Sequence, residues 1–216
     1  MEDKDVPFPV FNVARSETKL TQESPIIARQ IFERTLEYTT EKNIQFPRTV
    51  IVGLGPIGSS VLQIFETNGC SVIGFDIEIS KEALLSYLSE EKPDVVIGAT
   101  GSPLFTTDDL VSIDNGHAYY FISVSSSDRE FPVATYRNKE GVHEDVHYKN
   151  VTFVNNGFPI SFKGNRNELT PIEIEKTIGL LMGSIFHGIV YPSDKKGLID
   201  VPTQLQNLIG NYSANA

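Results

Sequence analysis

Cysteine is almost absent from this chain, with Cys70 the only one among 216 residues. A single thiol excludes intrachain disulfides and cysteine-based zinc sites, and this usage is typical of a reducing compartment. The segment from Met1 to Lys19 contains no long apolar stretch of the kind that a secretory signal requires. We therefore expect a cytoplasmic protein.

Long apolar runs and dense basic runs are also missing. No apolar stretch approaches the roughly 18 residues that a membrane span requires. The 18 Lys and Arg residues are scattered among 28 Asp and Glu residues, and the net charge is −10. Nucleic acids and anionic membranes attract proteins through basic surfaces, so we expect neither as a partner.

The chain contains enough hydrophobic residues, 40%, for an ordinary globular core. We find no internal repeat and no linker rich in Gly or Ser, which predicts a single domain over residues 1–216. Ser24 followed by Pro25 has the pattern of a helix N-cap and a first-turn proline, and it predicts a lead-in helix over about 24–42. A capping box from Thr170 to Glu173 predicts C-terminal helices within about 170–210.

Between these helices, short apolar segments alternate with helical ones. The predicted strands cover residues 49–53, 71–75, 94–99, 117–124 and 151–154. Such alternation is typical of parallel strands joined by right-handed helical crossovers. The fold class that we predict is α/β, a Rossmann-type doubly wound, mostly parallel sheet with helices on both faces.

The first predicted strand leads into a glycine-rich turn within "TVIVGLGPIGSSVLQIFETNGCSVIGFD". Gly53, Gly55 and Gly58 have the spacing at which a tight turn, a close backbone approach and close helix packing are required by a dinucleotide pyrophosphate. Pro56 and Ile57 then begin a helix whose unpaired N–H groups and positive dipole end favour phosphate. The spacing predicts a dinucleotide site, and the alternative is a structural turn with no ligand.

An acid, Asp76, ends the second predicted strand. A carboxylate at this place accepts hydrogen bonds from the adenosine ribose hydroxyls and repels the 2′-phosphate of NADP, so we predict NAD as the cofactor. Lys81 lies nearby and would weaken this preference. The alternative is that Asp76 caps the loop before Ser80.

Several segments in order resemble the cofactor-binding domain of S-adenosylhomocysteine hydrolase, from about Phe11 to Ile189. The segments that carry the resemblance are "FNVARSETKL", "ESPIIARQIFERTLEY", the glycine turn, "FDIE", "GATGSPLF" and "FVNNGFPISF". The resemblance implies a tightly held NAD that first oxidises a ribose hydroxyl of the substrate and later returns the hydride. It includes no counterpart of the large substrate domain of that family.

The resemblance also assigns individual residues. Lys19 stands at the position of the family's catalytic lysine, and Glu23 stands at that of its substrate-facing aspartate. Further cofactor contacts are implied at Thr100, Gly101, Val124 and Ser125. Without the resemblance, Lys19 and Glu23 are equally well interpreted as an exposed i, i+4 ion pair.

Departures from the family pattern concern the substrate more than the cofactor. Ser126 replaces the family's catalytic histidine, although Asp128 is retained. Our first hypothesis is therefore an NAD-dependent, oxidoreductase-like enzyme that acts on a small hydroxylated or amino substrate. The alternative is a non-catalytic NAD(H)-binding module, either a redox sensor or a partner subunit. S-adenosylhomocysteine hydrolysis itself is the least favoured hypothesis.

Two further expectations concern metals and assembly. His143 and His147 have the i, i+4 spacing of a helical zinc pair, but they lie in a polar segment without further ligands, so we expect no metal. The family assembles through its cofactor domains, and the helix after Thr170 has apolar residues for a second buried face. We therefore expect a homodimer.

Overall fold

The computed structural model describes residues 6–76, 78–125, 129–137, 141, 143–162 and 171–211. Their contacts divide the chain into two compact units. The sheet unit is Ile27–Arg166, and the terminal unit combines Met1–Ile26 with Asn167–Ala216.

Eight strands are formed by the described residues. In chain order they are β1 Pro9–Phe11, β2 Thr49–Val52, β3 Val72–Phe75, β4 Val95–Gly98, β5 Tyr119–Ser123, β6 Val146–Tyr148, β7 Val151–Phe153 and β8 Gly197–Ile199. The same residues form six α-helices. These are α1 Glu17–Glu41, α2 Pro56–Thr67, α3 Lys81–Glu91, α4 Thr107–Ser112, α5 Pro171–Val190 and α6 Thr203–Gly210.

The sheet unit contains a six-stranded sheet in the order β3-β2-β4-β5-β7-β6. All neighbouring pairs are parallel except β6 and β7. Every residue of β2 and β4 is buried, as expected for central parallel strands that are covered on both faces. These observations confirm the predicted mostly parallel sheet.

Alternate residues of the strands enter two separate hydrophobic clusters. Val50 and Val52 pack with residues of α3 and α4, such as Leu88. Ile51 packs in the other cluster with residues of α1 and α2, such as Phe65. Because successive side chains of a strand point to opposite faces, helices cover both faces of the sheet, and the predicted Rossmann-type fold class is confirmed.

Helix α1 begins at Glu17, so the prediction of a helix start at Ser24 is wrong. Ser16 is the N-cap, because its hydroxyl accepts a hydrogen bond from the Lys19 N–H at 3.4 Å. Pro25 lies inside the helix. A proline costs about 3 kcal/mol in a helix interior, and the packing of buried side chains of α1 such as Ala28 and Ile31 offsets this cost.

The terminal unit pairs β1 with β8 in parallel. Val13, Leu180 and Val201 form its small buried cluster. Helix α5 begins at Pro171, in agreement with the predicted start, but the capping residue Thr170 lies outside the described residues. Across the part of the chain that the structure describes, no helix has the length and apolarity needed to cross a membrane.

Candidate functional site

The strand order places a crevice at the carboxyl ends of β2 and β4. The chain moves from β2 to β3 on one side and then crosses to β4 on the other side. In open α/β sheets, ligands bind outside the carboxyl ends of strands at such a switch point. The two turns that meet here follow Val52 and Gly98.

The glycines of the first turn have different structural roles. Gly53 has a φ of +97°, and a Cβ atom on it would lie 2.8 Å from the Ala99 carbonyl carbon, so Gly53 lets the two turns come into contact. Gly58 packs against the carbonyl of Gly53. Gly55 is different, because a Cβ atom on it would meet nothing within 4 Å. Gly55 therefore leaves open space where a ligand can approach the backbone.

Helix α2 begins directly at this open space. Gly55 is its N-cap, and Pro56 and Ile57 form the start of its first turn. Proline at this position removes an N–H group that has no partner within the helix. The remaining N–H groups and the helix dipole favour an anion beside Gly55.

Asp76 lies beside the glycine turn at the end of β3. Its Oδ1 accepts a hydrogen bond from the Leu54 N–H at 3.0 Å, and the Gly53 N–H donates to the Phe75 carbonyl at 2.7 Å. The side chain of Asp76 is thus fixed to the turn itself. The structure brings this acid together with Gly53 and Gly55, as the sequence predicts.

Lys81, at the start of α3, forms an ion pair with Asp109. The Lys81 Nζ lies 3.1 Å from Asp109 Oδ2, and the same carboxylate accepts the Thr106 N–H at 2.6 Å. Burial by itself would raise the pKa of Asp109, but the hydrogen bonds from Thr106 and Lys81 outweigh burial and lower it. The charge of Lys81 is therefore directed toward a carboxylate of this chain.

The other residues that the sequence predicts as cofactor contacts, after β4 and after β5, lie close together. The Gly101 N–H donates to Ser125 Oγ at 3.0 Å, and the Val124 N–H donates to the Gly98 carbonyl at 3.0 Å. Thr100 and Gly101 after β4 thus lie beside Val124 and Ser125 after β5. Ser126 and Asp128 lie outside the described residues.

Glu130 is a residue of this site that the sequence did not reveal. It is completely buried, and its carboxylate accepts hydrogen bonds from the Thr100 N–H at 2.6 Å and from the Ser123 hydroxyl at 2.8 Å. A Cβ atom on Gly98 would lie 3.0 Å from this carboxylate. The only sequence signal is the glycine that ends β4, and one glycine does not identify a distant acid.

Lys19 and Glu23 belong to the terminal unit, where they line a cavity of about 460 Å³. Lys19 Nζ lies 3.2 Å from Glu23 Oε2, and the Thr177 hydroxyl also donates to that oxygen. Lys176 lines the same cavity and donates to the Gly210 carbonyl at 2.9 Å. The predicted ion pair is present, and it borders a space that can contain a small molecule.

The two histidines with zinc-like spacing have other partners. His143 Nδ1 lies 2.9 Å from Asn155 Oδ1, and His147 Nδ1 lies 3.0 Å from the Thr152 hydroxyl oxygen. His147 is in strand β6, so the two residues do not form a helical pair. Among the described residues, no group of three or more His, Cys, Asp or Glu side chains is arranged to bind a metal.

No protein-family model matches the chain. The chain is 29% identical over 208 residues to two uncharacterized proteins of Mycobacterium tuberculosis, MT0113 of strain CDC 1551 / Oshkosh and Rv0104 of strain ATCC 25618 / H37Rv. Each alignment covers 86% of this chain and 37% of the relative. The chain thus spans well under half the length of these curated relatives.

Two solved structures are similar to this one at low sequence identity. The first is a D-lactate dehydrogenase from Sporolactobacillus sp, with 13% identity, a TM-score of 0.46, and coverage of 84% of this chain and 70% of that one. The second is the A chain of dipicolinate synthase from Bacillus subtilis, with 12% identity, a TM-score of 0.46, and coverage of 82% and 57%. None of these four proteins bears the name of the family that the sequence segments resemble.

Proposed function

We propose that the sheet unit binds NAD(H) at the carboxyl ends of β2, β3, β4 and β5. The strand order β3-β2-β4-β5 would align an extended dinucleotide with three groups of residues. Asp76 would contact the adenosine ribose, and Gly55 and the start of α2 would contact the pyrophosphate. The turns at Thr100 and Ser125 would contact the nicotinamide half.

The open space at Gly55 is the observation that carries this proposal. Gly53 and Gly58 are required by contacts within the protein, whereas Gly55 has no neighbour that a side chain would disturb. Its φ of −64° is also accessible to any residue. A glycine that the fold does not require is explained by a ligand that approaches its backbone.

Isothermal titration of NAD into the wild-type protein and a Gly55→Val variant tests this proposal. The valine should weaken NAD binding by at least about tenfold, because its side chain occupies the approach of the pyrophosphate. The unfolding midpoint should fall only slightly, because valine is a poorer N-cap than glycine while its Cβ atom has open space around it. Thr67→Val, at the other end of α2, is the matched control and should bind NAD like the wild type. Equal affinity in all three proteins would contradict the proposed site.

We further propose that Lys19 and Glu23 serve an NAD-dependent oxidation of a small hydroxylated or amino substrate. Bound NAD would supply the hydride acceptor. The Lys19–Glu23 pair would take up the proton that the substrate hydroxyl or amine loses, and Glu23 would orient the lysine. The resemblance to S-adenosylhomocysteine hydrolase and the cavity beside the pair support this assignment.

Lys19→Ala tests the catalytic assignment. Adenosine and a panel of small secondary alcohols and amines serve as probes, and reduction of NAD is followed by absorbance. The variant should lose reduction of NAD while its NAD affinity stays within about twofold of the wild type. Unchanged reduction would contradict the role of Lys19.

The alternative function is an NAD(H)-binding module without catalysis. The replacement of the family's catalytic histidine by Ser126 favours this alternative. Such a module would bind NAD or NADH at the same turns and would reduce NAD with none of the probes. S-adenosylhomocysteine hydrolysis remains the third hypothesis, and release of homocysteine from added S-adenosylhomocysteine would support it.

We also propose that the protein is a homodimer that buries the exposed side of α5. Among the described side chains of this helix, seven apolar ones each expose 48% or more of their surface: Ile178, Leu181, Met182, Ile185, Phe186, Ile189 and Val190. Exposed apolar patches of this kind mark interaction surfaces. In a two-fold symmetric dimer, the same patch on a second copy of the chain would cover this one.

A further inference from the structure

The carboxylate of Glu130 connects two turns at the edge of the sheet. Its Oε1 accepts hydrogen bonds from the backbone N–H groups of Thr100, at 2.6 Å, and Gly101, at 3.1 Å. Its Oε2 accepts one from the Ser123 hydroxyl at 2.8 Å. The side chain thus fixes the turn after β4 to the last residue of β5.

The backbone of Glu130 adds to this connection. Its carbonyl accepts hydrogen bonds from the N–H of Leu104 at 2.9 Å and of Phe105 at 3.4 Å. The segment that follows Gly101 is therefore held by the same residue as the turn itself. The carboxylate and the carbonyl together fix the path of the chain from β4 to α4.

The end of β4 is shaped to accept this carboxylate. A Cβ atom on Gly98 would lie 3.0 Å from both the carboxyl carbon of Glu130 and a ring carbon of Phe131. Because Gly98 has no side chain, the Glu130 carboxylate can occupy the space beside it. Glu130 is completely buried, so water does not compete for the hydrogen bonds.

We propose that Glu130 is a positioning residue that holds the turns after β4 and β5 in the arrangement needed by the nicotinamide half of NAD. This inference rests on the proposed NAD site. Asp76 and Gly55, which are proposed to contact the adenosine ribose and the pyrophosphate, follow β3 and β2, whereas Glu130 binds residues at the ends of β4 and β5. Loss of the carboxylate should therefore act on one half of the cofactor.

A comparison of two ligands separates this role from a general effect on folding. NAD contains both halves of the cofactor, whereas AMP contains only the adenosine half. The affinities of both ligands are measured by isothermal titration for the wild type, Glu130→Ala and Glu130→Gln. Folding of each variant is checked by circular dichroism and thermal unfolding.

Glu130→Ala should weaken binding of NAD by at least about tenfold and binding of AMP by less than about twofold, because it removes the acceptor of four hydrogen bonds at one end of the site. Glu130→Gln retains an oxygen for the Thr100 and Gly101 N–H groups and an amide that can donate to the Ser123 hydroxyl. It should therefore keep NAD affinity within about threefold of the wild type. If Glu130→Ala does not fold, Glu130→Gln and Ser123→Ala test the same network. Ser123→Ala should lose more NAD affinity than Glu130→Gln and less than the roughly tenfold loss expected for Glu130→Ala.

Asp94→Ala is the matched control. Asp94 also binds the backbone through its carboxylate, which accepts the Arg48 N–H at 2.8 Å, but it lies at the amino end of β4. This variant should leave the ratio of NAD to AMP affinity unchanged. A Glu130→Ala variant that weakens both ligands equally, or neither, would overturn the positioning role.

If the wild type binds neither ligand, the proposed NAD site and the cofactor role of Glu130 both fail. If it binds both and the ratio stays constant in Glu130→Ala, only the inference about Glu130 fails. Hydrogen exchange at the Thr100 and Gly101 amides gives a readout that needs no cofactor. Both amides should lose protection in Glu130→Ala and keep it in Asp94→Ala, and retained protection in Glu130→Ala would overturn the network.

Discussion

A Cβ atom on Gly58 would lie 1.8 Å from the carbonyl oxygen of Gly53. The first turn of α2 thus packs against the preceding turn so closely that no side chain fits between them. Glycine is required at position 58 by packing within the protein, whereas no atom of the protein requires glycine at position 55. The two glycines should therefore respond differently to the same substitution.

Gly58→Ala should destabilise the protein by about 3 kcal/mol, because the added methyl group forces the helix away from the turn. Gly55→Ala should cost only about 1 kcal/mol, the difference between glycine and alanine at an N-cap, since the new methyl group meets no other atom. Urea denaturation of both variants measures the difference. Equal effects on stability would contradict the distinct roles of the two glycines.

Asp109→Asn should raise the affinity for NADP relative to NAD by about threefold, a modest change because Lys81 is partly exposed. The variant removes the negative partner of Lys81, whose ammonium can then attract the 2′-phosphate. An asparagine oxygen can still accept the Thr106 N–H, so the cap of α4 is retained. Asp108→Asn, the exposed neighbour in the same turn, is the control. If the ratio of NADP affinity to NAD affinity is unchanged in Asp109→Asn, then Asp109 does not determine how Lys81 acts on the 2′-phosphate.

Acid should remove part of the stability that Asp109 provides. The pKa of Asp109 is lowered in the folded protein, so the unfolded state binds more protons and stability rises with pH. The contribution is fully present above the unfolded pKa of about 4 and is lost as the pH falls through the folded value. Urea unfolding should show a constant difference between wild type and Asp109→Asn from pH 6 to 8 and a smaller one below about pH 4. If the difference in the free energy of unfolding between the two proteins grows in acid, the lowered pKa of Asp109 is contradicted.

Phe186→Asp should convert the proposed homodimer into a monomer, because it places a charge in the apolar face of α5. Light scattering coupled to gel filtration gives the mass directly. Leu208→Asp on α6 is the control, since this side chain is also exposed, at 72%. A monomeric wild type, or a dimer that persists in Phe186→Asp, would remove α5 as the interface.

The sequence predicted the central strands and the glycine turn because local signals determine them. Residues 49–53 and 94–99 are short apolar runs, and runs of this length between turn residues are typical of buried parallel strands. The glycine spacing also reports on local geometry. Both predictions agree with the structure.

The start of α1 was not predicted, because the local signal at Ser24 and Pro25 is stronger than the one at Ser16. Strand β6 and the β1–β8 pair were missed because each strand has only three residues and none lies in a strand-forming run such as Val-Thr-Phe-Val, by which the equally short β7 was predicted. Glu130 was missed for a different reason. A buried acid is recognised by its hydrogen-bond partners, and the fold brings the partners of Glu130 together from other parts of the sequence. The adjacent residues Arg129 and Phe131 do not indicate those partners.

The measurement that tests the central claim most directly is native mass spectrometry of the purified protein, with its absorbance spectrum, before and after addition of NAD. The NAD proposal predicts one NAD or NADH per chain, either retained through purification or bound on addition, and loss of this complex in Gly55→Val. A protein that binds no dinucleotide even with excess NAD would contradict the assignment of the β2–β4 crevice as a cofactor site.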